Sequence, residues 1–378
     1  MKIFILLFAL VLSSVSYAKS ERFVIKSAII DESPTIQVSL PDTYSLSNSS
    51  SYPVLVVLDG STQFQHIAAG NQFLSTYAIA PEMIVVSVST LKRMLYFTPT
   101  EHEQFAGRSG KAHLFKDFLN KELLPKLQEK YRVAPYYMIT GHSLAGLFTS
   151  YLALEKSSLF NAHISISPSF WWDDKALVKH YAGMKRDHLT SPKRWFLSIA
   201  NEPGEMSESY QAMLEALEAN KIDNLHWFSK SFPEDTHDST PLVGNATALK
   251  TIFNDWNAVP EIDVMPLKEL RQYYKSIVAD YDYEFKLSLH QYNVYGLKAA
   301  YEGKTNWGVE ILEQGVKDFP KSEILWDSLA TAYELDDKIN QALSASKLAL
   351  ELAQRNDSIF TSEITSQNKY LNSINASK

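Results

Sequence analysis

The stretch Gly141-His142-Ser143-Leu144-Ala145-Gly146 constrains this chain more than any other. An apolar run, Tyr136 to Thr140, precedes it, and a helix-forming run, Leu147 to Glu155, follows. A short buried strand, a tight turn on a serine and a helix are the setting of a nucleophile elbow. Such a turn strains the serine backbone and lifts its hydroxyl above a sheet. The N–H of the next residue, Leu144, then faces the oxyanion that develops beside it. The usual pattern is G-x-S-x-G; here Ala145 stands in the last glycine's place and Gly146 comes one later. A methyl group is small enough for close helix–strand packing. On these six residues alone, a plain Gly/Ser turn between a strand and a helix explains the pattern as well.

The rest of the chain supplies a matching scaffold. From Glu21 to about Asp255, short apolar runs alternate with helical patterns. Phe23–Ile29 and Thr35–Leu40 read as an antiparallel pair. Pro53–Leu58 and Met83–Val88 are near-continuous Val/Ile/Leu runs of the kind buried parallel strands show. Tyr136–Thr140, His163–Ser167, Trp195–Ile199 and His226–Phe232 continue the series, with helices expected over Lys111–Tyr131, Leu147–Ser157 and Ser207–Asn220. This alternation predicts an α/β-hydrolase fold, a mostly parallel sheet with helices on both faces.

Beyond Pro260 and Pro266 no strand pattern recurs. Ala300-Tyr301-Glu302-Gly303-Lys304 is echoed by Tyr333-Glu334-Leu335-Asp336-Asp337, at an offset of about 33 residues, and Pro320 ends the first unit. This predicts an all-α, tetratricopeptide-like region with room for a protein partner; a plain helical hairpin is the simpler alternative. The tail after Thr365 reads as frayed, and residues 280–284 as a solvated, aromatic-anchored linker face.

The first 18 residues have the order of a signal peptide: Lys2, an apolar stretch Ile3 to Leu12, then Ser16-Tyr17-Ala18. The expected organisation is therefore a signal peptide over 1–18, an esterase domain over 19–262 and a helical region over 263–378. The chain would be exported, to a periplasm or beyond. The sequence has no cysteine, which excludes disulfides and thiolate metal sites. Its formal charge of −7 argues against nucleic acid as a partner. With no H-E-x-x-H, P-loop or G-x-G-x-x-G in the sequence, neither metal nor cofactor is expected.

In an α/β hydrolase the triad follows in the order Ser, acid, His. His237 lies in the polar loop Pro233-Glu234-Asp235-Thr236-His237-Asp238-Ser239, directly after the last expected strand. The acid is expected on the loop Ala200-Asn201-Glu202-Pro203-Gly204-Glu205-Met206, where Glu202 and Glu205 both qualify. Either would hold the histidine tautomer and stabilise its charged form; either also reads as a helix-start charge. A second oxyanion donor is expected from the N–H of Ser61, after Asp59-Gly60.

The chain resembles an esterase family of α/β hydrolases that groups siderophore, feruloyl and acetylxylan esterases, S-formylglutathione hydrolase and mycolyltransferases. Leu55-Val56-Val57-Leu58-Asp59-Gly60, the segment from Phe115 to Tyr131, Gly141-His142-Ser143, Ile166-Ser167-Pro168-Ser169-Phe170-Trp171-Trp172 and Pro233-Glu234-x-x-His237 carry the resemblance. It is nearest to the periplasmic siderophore-esterase-like branch. It implies a serine esterase with Ser143 as nucleophile, His237 as base and Glu202 as acid, and it points to Arg93, Trp171 and Trp172 around a small-molecule or acylated ester substrate. One stretch departs: where relatives often carry Arg-x-Arg-Asp-x-Thr-Pro, this chain reads Arg93-Met94-Leu95-Tyr96-Phe97-Thr98-Pro99. The missing charges argue against an anionic siderophore. Two rival readings are an acyltransferase onto a sugar or peptidoglycan hydroxyl, and a non-catalytic hydrolase scaffold that binds a partner through its helices.

Overall fold

The computed structural model describes residues 20–256, 263–277, 279–281 and 283–376; the expected signal peptide and the boundary at 262/263 lie outside them. Eight strands form one sheet: β1 (Glu21–Val24), β2 (Thr35–Ser39), β3 (Tyr52–Leu58), β4 (Ile84–Ser89), β5 (Val133–His142), β6 (Ala162–Ile166), β7 (Lys193–Ala200) and β8 (Leu225–Phe232). Their order is β1-β2-β4-β3-β5-β6-β7-β8. β1 and β2 pair antiparallel, as does β2 with β4, and every other neighbour is parallel. This is the mostly parallel α/β-hydrolase sheet. β1 is four residues long and stops short of the expected Ile29, where the N–H groups of Ile29 and Ile30 instead bond the Ser27 hydroxyl.

Nine helices belong to or follow closely on this sheet: α1 (Gly60–Thr76), α2 (Arg93–Phe97), α3 (Ala112–Phe118), α4 (Leu124–Lys130), α5 (Leu144–Leu154), α6 (Trp172–Ala182), α7 (Glu205–Ala219), α8 (Thr240–Ile252) and α9 (Leu267–Ile277). The helix expected over Lys111–Tyr131 is present as α3 and α4, joined by one π-helical turn at Leu119–Leu123. Alternation along the buried strands sorts the core onto two faces. Leu55, Val57, Met138, Ile164 and Phe196 pack with α1 and α8; Val54, Val56, Val86 and Ile139 pack with α3 and α5.

Five more helices follow: α10 (Leu289–Tyr301), α11 (Thr305–Asp318), α12 (Glu323–Leu335), α13 (Ile339–Arg355) and α14 (Thr361–Asn375). The expected fray after Thr365 is instead the body of α14, because Ile364 and Leu371, seven residues apart, are both buried. The linker is also deeper than expected. Tyr281 and Phe285 are buried, and the Tyr281 hydroxyl donates to the Ile252 carbonyl (2.6 Å). The helical region thus shares a continuous core with the α1/α8 face of the sheet. No helix among the described residues is long and apolar enough to cross a membrane.

Candidate active site

β5 runs without a break into Ser143, which takes φ 61° and ψ −119°, a strained conformation for a residue with a side chain. α5 begins at the next residue, so the serine sits between the last strand residue and the first helical turn. Three hydrogen bonds hold it there. Its N–H donates to the Ile166 carbonyl (3.0 Å), and its own carbonyl accepts from the N–H of Leu147 (2.9 Å) and of Ser169 (3.2 Å).

The shifted glycine pattern has a steric reason. A Cβ on Gly141 would meet the Ala145 carbonyl oxygen at 2.4 Å and the Ala145 methyl at 2.8 Å. With Gly141 bare, the elbow admits a methyl at 145. The close approach to the neighbouring strand falls one residue later: a Cβ on Gly146 would lie 2.9 Å from the Ile166 oxygen.

His237 and Glu202 lie on the loops after β8 and β7. His237 Nδ1 and Glu202 Oε1 form a short hydrogen bond. The other carboxylate oxygen accepts from the Ala200 N–H (3.1 Å). Glu202 is buried, which pushes its carboxyl up, but the hydrogen bonds it accepts, the one with His237 foremost, together with the neighbouring His237 and Ser167 side chains, outweigh burial and hold it below the ordinary 4.5. The two loops are joined by the Asn201 N–H donating to the Asp235 carbonyl (3.0 Å). α8, which follows His237, is pinned to β5 through Thr140 and Asn245 (2.5 Å). Glu205, the other expected acid, is exposed as the first residue of α7.

The His237 ring lies 4.3 Å, centroid to centroid, from that of His142, the residue before Ser143. His237 and Glu202 therefore lie together at the carboxyl edge of the sheet, with the His237 ring against the residue that precedes Ser143. Nδ1 is committed to Glu202, which leaves Nε2 as the ring nitrogen outside that bond. Burial, then the neighbouring His237 and Arg93, depress His142 to about 4 and keep it neutral at ordinary pH.

Leu144 and Ser61 are the first residue of α5 and the second of α1, so each carries one of the N–H groups that have no partner within its own helix. β3 and β5 are neighbours, which brings these two helix starts to the same edge. The segment after Asp59 is this helix: Asp59 caps it in a left-handed conformation (φ 52°, ψ 44°).

Arg93 lies against this pair of loops. Its Nε donates to both oxygens of Asp59 (3.1 and 2.9 Å), and its Nη2 donates to the His142 carbonyl (2.8 Å). Trp172 is buried, and its indole N–H is used on the Thr100 carbonyl (3.1 Å). Trp171 is only partly buried and packs at 6.0 Å from it.

Sequence reasoning gave no role to Ser169, whose hydroxyl lies 3.4 Å from that of Ser143, or to the carboxylate of Asp59. The Ser167-Pro168-Ser169 triplet was a usable signal for the first. For the second there was none, because Asp59 and Arg93 are brought together only by folding.

The sheet order and the strand–serine–helix turn define an α/β-hydrolase-fold serine hydrolase. The family model described as "Putative esterase" matches residues 27–229, and the chain belongs to that family. It is 26% identical over 203 residues to YbbA of Bacillus subtilis, covering 52% of this chain and 78% of that protein. It is 25% identical over 189 residues to the ferri-bacillibactin esterase BesA of the same organism, covering 43% and 63%. Among solved structures, an IroE-like serine hydrolase from Shewanella oneidensis superposes with a TM-score of 0.68 at 23% identity, over 80% of this chain and all of that one. A protein from Capnocytophaga ochracea superposes over 94% of this chain and all of its own, with a TM-score of 0.59 at 15% identity. At that coverage the likeness in fold extends into the helical region.

Proposed function

We propose that this chain is an exported esterase that works through a Ser143–His237–Glu202 triad and an acyl-enzyme. The observation that carries the reading is the His237 Nδ1 bond to buried Glu202, on loops beside a strained elbow serine. His237 Nε2 takes the Ser143 proton as the serine oxygen bonds to the ester carbonyl carbon. The N–H groups of Leu144 and Ser61 hold the tetrahedral oxyanion. The intermediate collapses, the ester C–O bond breaks, and His237 returns the proton to the departing alkoxide. A water then repeats the sequence on the acyl-serine and releases the acid. Glu202 stays ionised throughout and stabilises the imidazolium.

The relatives' names include a ferri-bacillibactin esterase and a triacetylfusarinine C esterase. Two residues argue for a less charged ester in this chain. Tyr96, at the position where the family resemblance leads one to expect aspartate, is buried, stacked 5.8 Å from Phe115, and its hydroxyl accepts from the Asp31 N–H (3.0 Å). Leu95 packs against the same core. Neither offers a charge to a substrate. In the helical region, α10 and α12 start 34 residues apart, as do α11 and α13, and the turns repeat with them: the N–H of Lys304 bonds Ala299 and that of Lys338 bonds Tyr333. This period supports a tetratricopeptide-like reading and a protein partner there.

The test is Ser143→Ala in the mature chain, assayed on chromogenic acyl esters. Turnover should fall by about 10⁴ to 10⁶ with the melting temperature unchanged or raised. Retention of most of the activity rejects the mechanism.

A further inference from the structure

We infer that Arg93 is a positioning residue: it clamps the two loops whose N–H groups form the oxyanion site, and so sets their separation. The inference rests on the esterase reading above. The hydrogen-bonded register between β3 and β5 ends at Val57 and Thr140. Asp59 lies two residues beyond it on one strand and His142 two residues beyond it on the other. Leu144 follows His142 by two residues, as Ser61 follows Asp59. Past the end of the ladder, the Arg93 side chain reaches both segments, with Nε on the Asp59 carboxylate and Nη2 on the His142 carbonyl.

The clamp is itself held. The loop before Arg93 is fixed by one carboxylate, Glu32, which accepts from the Thr90 hydroxyl (2.7 Å) and from the N–H groups of Leu91 (3.1 Å) and Lys92 (2.7 Å). The guanidinium also lies over the Phe97 ring (5.8 Å). A planar fork with divergent donors can engage a carboxylate and a carbonyl together; an ammonium on a flexible stem does not hold both at fixed angles.

Asp59 shows why the link matters. It is the left-handed cap of α1, so any movement of its side chain is passed to Gly60 and Ser61. Burial pushes its carboxyl up and Arg93 works against that. Without Arg93 a largely desolvated carboxylate is left unpaired, and it must turn toward water or take up a proton. Either response moves the Ser61 N–H relative to Leu144. Oxyanion donors act on the transition state and not on the bound ester, so the loss falls on kcat.

The experiment compares wild type, Arg93→Met, Arg93→Lys, Asp59→Asn and the Arg93→Met/Asp59→Asn double variant of the mature chain. Each is assayed on one neutral and one anionic chromogenic ester, and each is titrated with an alkyl boronic acid, which forms a tetrahedral adduct on serine. A kcat loss of about 30-fold to 1,000-fold is expected in Arg93→Met, with KM on the neutral ester within about threefold. Boronate affinity should fall in step with kcat. Arg93→Lys should fail to restore it, and the double variant should be no worse than the worse single one, since both changes break one link. If Arg93→Met does not fold, Asp59→Asn alone decides, by the same split between kcat and KM. An unchanged kcat, or a rise in KM confined to the anionic ester, overturns the clamp, the latter in favour of substrate-charge recognition by Arg93. Ser143→Ala, run alongside, separates the cases: if it stays active, the esterase mechanism fails and not merely the clamp.

Discussion

The two edges of the central sheet are finished in different ways. At the carboxyl edge the side chains are polar and the backbone is forced. Ser143 and Asp59 have positive φ, Glu202 is desolvated, and His142 Nε2 is buried without a partner. At the amino edge, the early residues of β5 and β7 meet rings. Tyr136 packs edge-on to Phe285 at 5.0 Å, Arg194 lies 3.8 Å over Tyr281, and Tyr281 stacks on Phe253. One edge gives up stability to hold strained and desolvated polar groups in place. The other gains it by joining the helical region to the sheet. The difference predicts that changes at the carboxyl edge cost rate and changes at the amino edge cost stability.

The sharpest break should come at Glu202. In the proposed triad, Glu202→Gln keeps the shape but removes the charge that would stabilise the imidazolium and favour the tautomer with Nδ1 protonated. A fall in kcat of about 10⁴ is expected, read on one ester at saturating concentration. The pH dependence of stability checks the same group. Its carboxyl is held below the ordinary value in the folded chain, so the unfolded chain takes up protons first as pH drops. The Glu202 contribution is therefore present above about pH 4.5 and fades as pH falls through the folded value. Melting curves from pH 7 to 3 should show a shallower acid loss for Glu202→Gln than for wild type. A steeper loss would contradict the assignment.

Phe285→Ala tests the opposite edge. Phe285 is 5% exposed and touches Tyr136, Phe253, Trp256, Tyr281 and Tyr283. Deleting its ring should cost about 3–5 kcal/mol of stability, while kcat at a temperature well below the melt stays within about twofold of wild type. Denaturant unfolding followed by near-ultraviolet circular dichroism measures the first and ester turnover the second. A large loss of kcat in folded Phe285→Ala would mean that the two edges are coupled.

The contrast also explains what could be read from the sequence. Strands β3 to β7 were legible because both faces of each are buried, which forces unbroken apolar runs such as Val54–Leu58. The elbow was legible because backbone crowding at Gly141 and Gly146 admits so few residues. α1 was not: its face is a sparse set, Phe64, Ile67 and Leu74, among Gln, Thr and Asn, and its cap makes no side-chain hydrogen bond. The Asp59–Arg93 pair was hidden because 34 positions separate the partners and a lone Asp-Gly reads as a turn. The amino edge was misjudged because the acidic residues of 280–284 suggested solvent, whereas Tyr281 and Tyr283 decide its burial by packing against Tyr136.

The smallest effect belongs to Glu205, and it asks how narrowly the carboxyl edge is defined. Glu205 lies three residues from Glu202 and follows the same strand, but Gly204 between them takes φ 81° and turns the chain away. Glu205 then sits exposed in the first turn of α7, beside Glu208, where a negative charge meets the free N–H groups of the helix start. That interaction is screened by solvent and salt. Glu205→Gln should therefore lower stability by only a few tenths of a kcal/mol and leave kcat unchanged. The measurement is kcat for Glu205→Gln and Glu202→Gln on the same ester, with melting temperatures at low and high salt. A severe kcat defect in Glu205→Gln together with near-normal Glu202→Gln would reverse the acid assignment. Normal rates in both would remove this loop from the chemistry and leave His237 to act without a carboxylate.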